Sequence, residues 1–176
     1  RVAPLASGSL NDDFFAAFVG ALYRKSDWTF TSRAEWRNSD LERRITYAGG
    51  FYREPVAGQA LSMTLFVTDS NLAVGPDSLA SDIRFAWAYR PTGKRWMLLD
   101  RLDLLYDERS ADTGRTDSRR IVNNVNANWQ LGEGMQLGLQ YGSRYARSTF
   151  DGVAYDGYSD LVGVDLRRDL NRRFDA

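Results

Sequence analysis

Apolar and polar positions alternate with a period of two along almost the whole chain. In the clearest stretch Trp28, Phe30, Ser32, Ala34 and Trp36 share one parity, and Thr29, Thr31, Arg33, Glu35 and Arg37 share the other. Successive side chains of a strand point to opposite faces, so this stretch predicts a strand with one aromatic and one charged face. A helix would scatter the same charges around its circumference. The pattern returns where Ile83, Phe85, Trp87 and Tyr89 oppose Arg84, Ala86, Ala88 and Arg90. It returns again where Val125, Ala127 and Trp129 oppose Asn124, Asn126, Asn128 and Gln130, and where Leu137, Leu139 and Tyr141 oppose Gln136, Gly138, Gln140 and Gly142. Leu61, Met63, Leu65 and Val67 oppose Ala60, Ser62, Thr64 and Thr68, with Phe66 breaking the polar side. Val162, Val164 and Leu166 oppose Gly163, Asp165 and Arg167.

Ten strands follow, near 12–24, 27–38, 43–53, 59–69, 81–91, 95–108, 118–131, 135–148, 156–168 and 172 onward. The connections near 25–26, 55–58, 92–94, 132–134 and 169–171 are short. Those near 38–42, 71–80, 109–117 and 149–155 are longer and rich in Asp, Ser and Gly. Short and long connections alternate, as the periplasmic turns and extracellular loops of outer-membrane barrels do. The expected fold is all-β: an antiparallel up-and-down transmembrane β-barrel. Residues 1–11 are expected to be irregular and 12–176 to form a barrel segment.

Aromatic placement supports the same orientation. Tyr23-Arg24, Tyr52-Arg53 and Tyr89-Arg90 each close a strand before a short turn, and Trp28 and Trp96 follow two of those turns. Tyr and Trp collect at bilayer interfaces, where one end of the ring is apolar and the other wet. Trp28 and Trp36 share a face eight residues apart. At ~3.3 Å per residue and ~45° tilt that is roughly 19 Å of depth, inside a ~25 Å apolar band. Trp28, Phe30, Trp36, Phe85, Trp87, Tyr89, Trp129 and Tyr141 are therefore expected to face lipid or form its girdle.

Composition narrows the function classes. The 176 residues include 23 basic and 23 acidic side chains and carry no net charge. Nucleic-acid binding wants a basic excess, so no nucleic acid is expected as a partner. No stretch approaches the ~20 apolar residues of a membrane helix, whereas a barrel strand needs only about 9–11 residues. There is no Cys and no His. That removes disulfides, thiolate–zinc sites and histidine-dependent triads. The opening Arg1-Val2-Ala3-Pro4 does not itself read as a signal peptide, which has an apolar core behind a basic start, and suits a mature, trimmed or partial chain.

Three segments together resemble a known architecture. They are Arg95-Trp96-Met97-Leu98-Leu99-Asp100-Arg101-Leu102-Asp103-Leu104, then Ser118 through Trp129 with its Asn123-Asn124-Val125-Asn126-Ala127-Asn128 run, then Gln140-Tyr141-Gly142-Ser143-Arg144-Tyr145. From about Asp12 onward the chain resembles the C-terminal barrel of large proteobacterial surface proteins, which carry long extracytoplasmic repeat regions ahead of an outer-membrane barrel. The resemblance implies an outer-membrane anchor and brings no catalytic residues with it. The chain departs from a complete barrel at Phe174-Asp175-Ala176, where a strand is only beginning. A barrel segment incomplete at its C-terminus is expected, to be closed by remaining strands of the same barrel or parent protein, because open edges are not tolerated in lipid.

The polar parity is expected to face a lumen. It includes Arg33, Glu35, Arg37, Arg84, Arg90, Asn124, Asn126, Asn128, Gln140, Arg144, Asp165 and Arg167, joined by Arg44, Thr46, Arg101, Asp103 and Gln136. These residues could line a pore or interlock as a plug of hydrogen-bonded side chains. Asp107, Glu108, Asp112 and Asp117 offer hard oxygen ligands, but their spacing matches no EF-hand and arginines interleave them. Gly132-Glu133-Gly134 reads as a hairpin turn, not a phosphate loop. Asp103 and Asp107 share a face, without further support for acid–base chemistry. No catalytic, cofactor or metal residue is expected.

Two features disagree with a lipid-facing sheet. Residues 14–19 are apolar on both parities, and Asp100 shares the parity of Trp96, Leu98, Leu102 and Leu104. The expected role is a structural anchor or display unit in the outer membrane of a Gram-negative bacterium, with the lipid bilayer as partner. A passive pore and a soluble, secreted antiparallel sheet are the alternatives.

Overall fold

The computed structural model describes residues 13–111, 114–150, 152–171 and 174–175. The expected segment 1–11 lies outside them. Ten strands follow one another in chain order: β1 (Phe14–Arg24), β2 (Trp28–Ser39), β3 (Glu42–Val56), β4 (Gln59–Leu72), β5 (Asp77–Tyr89), β6 (Trp96–Ala111), β7 (Gly114–Gly132), β8 (Met135–Phe150), β9 (Val153–Asn171) and the short β10 (Phe174–Asp175). Each pairs antiparallel with its sequence neighbour, giving one up-and-down sheet. β1 does not pair with β9 or with the two-residue β10 at the other side, so the sheet is open. No helix occurs among the described residues.

The strands are longer than the sequence pattern predicts, and this corrects the alternation of short and long loops. The stretch 71–80 is mostly ladder: Asp69 pairs with Leu79 and Ser70 with Ser78. The stretch 109–117 is a hairpin in which Glu108 pairs with Asp117 and Ala111 with Gly114. The stretch 149–155 closes with Phe150 opposite Val153. The physical reason is that these stretches do not alternate: 109–117 is polar on nearly every position, while 71–80 and 149–155 mix apolar and polar residues on both parities, so they lack the two-faced signal. Backbone pairing does not need that signal once the strands are already in register.

The ladder sets which residues share a face. Following the register from strand to strand, Tyr23 lies with Phe30, Phe51, Met63, Phe85 and Leu102. Gly20 lies on the other face with Arg33, Ala48, Phe66 and Asp82. An apolar and a polar face therefore run through the whole sheet. No apolar side chain is buried among the described residues. The least exposed polar ones, Ser70 at 7% and Asp103 at 6%, sit on the polar face. Phe85 at 40% and Trp129 at 56% stay open on the apolar face. A water-soluble sheet has the opposite distribution, with its apolar side covered.

Candidate functional site

The candidate site is the pair of faces. Every residue expected to face lipid lies on the apolar face: Trp28, Phe30, Trp36, Phe85, Trp87, Tyr89, Trp129 and Tyr141. Every residue expected in the lumen lies on the polar parity: Arg33, Glu35, Arg37, Arg84, Asn124, Asn126, Asn128, Gln140, Arg144, Asp165 and Arg167 on strands, with Arg90 in the turn after β5.

The aromatics form an organised row at the end that carries the turns 25–27, 57–58, 90–95 and 133–134. Tyr23 and Trp28 have ring centroids 5.0 Å apart and Trp28 and Phe51 6.2 Å. Further along, Trp87 stacks on Tyr89 at 5.8 Å, Tyr89 meets Trp96 edge-on at 5.1 Å, and Trp96 pairs with Trp129 across β6 and β7. Phe15 and Trp36, 5.6 Å apart, occupy the opposite end of β1 and β2. One expectation is corrected here. Tyr52 pairs with Thr29 and Ser62 on the polar face, and Phe51 takes its place in the row. The Tyr-Arg repeat at strand ends therefore does not mark a common face: β3 arrives at its turn with the opposite parity.

The ion pairs of the polar face run mostly along its strands. Residues two apart share a face, within reach of an arginine. Arg33 binds Glu35 at 2.8 Å, Arg44 binds Glu42 at 2.6 Å, Arg84 binds Asp82 at 2.5 Å and Arg101 binds Asp103 at 2.7 Å. Ser70 donates to Glu42 across strands at 2.6 Å, and Arg84 also approaches Asp103 at 3.9 Å. On β7 and β8 asparagines face glycines. A Cβ at Gly138 would lie 3.2 Å from the Asn128 Oδ1, and one at Gly142 3.2 Å from the Asn124 Oδ1. The glycines leave the room in which those amides lie.

Both features that disagreed with the face assignment have a structural reason. On β1, Phe14 and Phe18 point to the polar face, where the guanidinium of Arg37 stacks over Phe14 at 4.0 Å and that of Arg33 over Phe18 at 4.6 Å. Aromatic faces attract cations, so these rings belong to the polar network. Asp100 does lie on the apolar face, opposite Trp87 and Val125, without a bulge. Its carboxylate accepts a hydrogen bond from Asn123 Nδ2 at 2.8 Å. Asn123 was not singled out from the sequence, although it breaks the apolar parity of β7 just as Asp100 breaks that of β6. Asp100 is four residues from Trp96, roughly 9 Å inward at strand rise and tilt. Replacing it by Leu is expected to stabilise the sheet in lipid by on the order of 1 kcal/mol. Chemical unfolding in vesicles checks this, and a loss of stability would show that the position faces water or protein.

The carboxylates of the acidic stretch pair with its own arginines. Arg115 binds Glu108 at 2.8 Å, Arg109 approaches Asp107 at 3.6 Å and Arg119 approaches Asp117 at 3.5 Å. Asp112 lies outside the described residues. Glu108 is twelve residues beyond Trp96, roughly 28 Å along the normal and so past the ~25 Å band. The Tyr106 hydroxyl, with Arg115 and against a smaller effect of burial, holds its carboxyl below the usual range. No cluster of metal-ligating side chains occurs among the described residues.

Neither a protein-family pattern nor the sequence of a curated protein matches the chain. Solved structures do. One is the outer-membrane expressed OmpT of Vibrio cholerae, at 11% identity and a TM-score of 0.54, covering 88% of this chain and 56% of that one. Another is the alcaligin outer membrane receptor FauA from Bordetella pertussis, at 16% identity and a TM-score of 0.50, covering 90% of this chain and 33% of that one. The chain thus spans about half and about a third of the lengths of these proteins. At such identities the likeness is one of fold: an antiparallel up-and-down sheet of the outer-membrane β-barrel type.

Proposed function

We propose that this chain forms part of the wall of an outer-membrane β-barrel that anchors an attached extracytoplasmic region at the cell surface. One observation carries the reading: the sheet has a continuous apolar face with an ordered aromatic row and no buried apolar core among the described residues. Lipid is the solvent that such a face fits. The polar face then turns inward, and the open edges at β1 and β9 pair with remaining strands of the same barrel or parent protein. The attached region is inferred from the resemblance to repeat-bearing surface proteins, and the wall itself supplies the anchorage. Outer-membrane fractionation of the intact protein, with mobility on a denaturing gel before and after boiling, tests the reading. Extraction only by detergent and a band that shifts on boiling are the expected results. A detergent-independent soluble protein would sink it.

A passive pore is the second reading, favoured by arginines left without a carboxylate on the polar face. Arg120 and Arg144 form no ion pair among the described residues. Planar-bilayer conductance separates the two, because a sealed anchor passes no steady current.

A further inference from the structure

The turns at one end of the polar face border an open cavity of about 270 Å³. Its wall carries four cations, Arg90, Lys94, Arg95 and Arg167, interleaved with the amides of Asn128, Gln130 and Gln136. No carboxylate belongs to the wall. None of the four cations forms an ion pair among the described residues. Arg33, Arg44, Arg84 and Arg101 each hold a carboxylate two residues away, and the unpaired Arg120 and Arg144 of the same face lie apart from this wall. Arg167 has Asp165 at that distance and leaves it unpaired.

The backbone that carries three of the cations is fixed by turn hydrogen bonds. Arg90 N donates to Gly58 O at 2.6 Å, Lys94 N to Pro91 O at 3.1 Å, and Gln130 N to Arg95 O at 2.6 Å. Gln136 Nε2 donates to Asn128 Oδ1 at 3.3 Å, which leaves the Asn128 amide hydrogens free to point at a ligand. All four cations are exposed, so water screens their repulsion, and an anion among them is attracted by all four at once. Arginine forks match planar or tetrahedral oxyanions through paired hydrogen bonds, and a lysine adds a point charge. A single carboxylate would leave most of the charge uncompensated. The volume lies just below the ~300 Å³ at which sites for larger organic ligands begin.

We propose that this cavity binds a small oxyanion bearing two or more negative charges, of the phosphate or polycarboxylate class. The site lies beyond the anchoring role and needs only that the polar face be wet.

Calorimetric titration of the intact protein in detergent micelles, at fixed ionic strength, with pyrophosphate and with citrate, tests the proposal. Saturable binding at one site is expected for at least one of the two. Arg95→Gln combined with Arg167→Gln should weaken it at least tenfold. Arg120→Gln combined with Arg144→Gln removes the same charge from the same face outside the cavity and should change it less than twofold. Equal weakening by both pairs would mean a diffuse positive field and would overturn the site. Boiling-dependent mobility of each variant reports folding separately. A heat-shifting protein with no saturable binding overturns the site and leaves the barrel standing. Cavity-dependent binding by a protein without that shift upholds the site and counts against the barrel.

Discussion

Gly58→Ala is expected to cost the folded sheet roughly 2–5 kcal/mol. Gly58 forms the turn between β3 and β4 with φ at +81°. An L residue pays about 1–2 kcal/mol there. The larger part comes from crowding. A Cβ would lie 2.1 Å from the carbonyl oxygen of Arg90 and 2.9 Å from its carbon, and both atoms are backbone. Relief requires the two turns to separate, which breaks the hydrogen bond from Arg90 N to Gly58 O. Gly93 is the control. Its φ is +72°, but nothing lies within 4 Å of the added carbon. Gly93→Ala should therefore lose only the conformational part. Urea midpoints of the two variants in lipid, followed by tryptophan fluorescence, measure the difference. Equal losses would show that the two turns do not touch.

Phe85→Arg is the second large effect. Phe85 lies on the apolar face between Met63 and Leu102, four residues from Tyr89 and so roughly 9 Å inside the aromatic row. A cation at that depth costs about 2–4 kcal/mol in a barrel wall. The variant should assemble poorly, with little heat-shifting band in the membrane fraction. Asn126→Asp, on the polar face opposite Leu99 and Gln140, should assemble as the parent does. Similar yields from both would remove the face assignment and with it the membrane reading.

The sequence made the faces legible because β2, most of β5, β7 from Asn124 to Gln130 and β8 from Gln136 to Gly142 alternate, and one clean strand fixes its neighbours through the ladder. Trp36 and Arg37 could be placed on opposite sides from their spacing alone. The strand ends could not. Around Asp107, Glu108, Arg115 and Asp117 both parities are polar, so period two vanishes while pairing continues. Tyr52 was misplaced for a related reason: its rank in a Tyr-Arg repeat is a property of the strand end, whereas its face is a property of register. The basic cavity was half visible. Arg90, Asn128 and Arg167 lie on the polar parity, but Lys94 and Arg95 belong to a turn, where alternation carries no information and only the folded backbone brings them alongside.

The along-strand pairing of arginine with carboxylate has a consequence for assembly. Glu35, Arg44, Asp82 and Asp103 each find an arginine or carboxylate partner within their own strands, so β2, β3, β5 and β6 each carry an ion pair that no neighbouring strand has to complete. Those pairs do not wait for later strands to arrive. They can enter a growing wall already joined. By the same logic, a wall of this kind can gain or lose a hairpin between generations without breaking these pairs in the strands that remain.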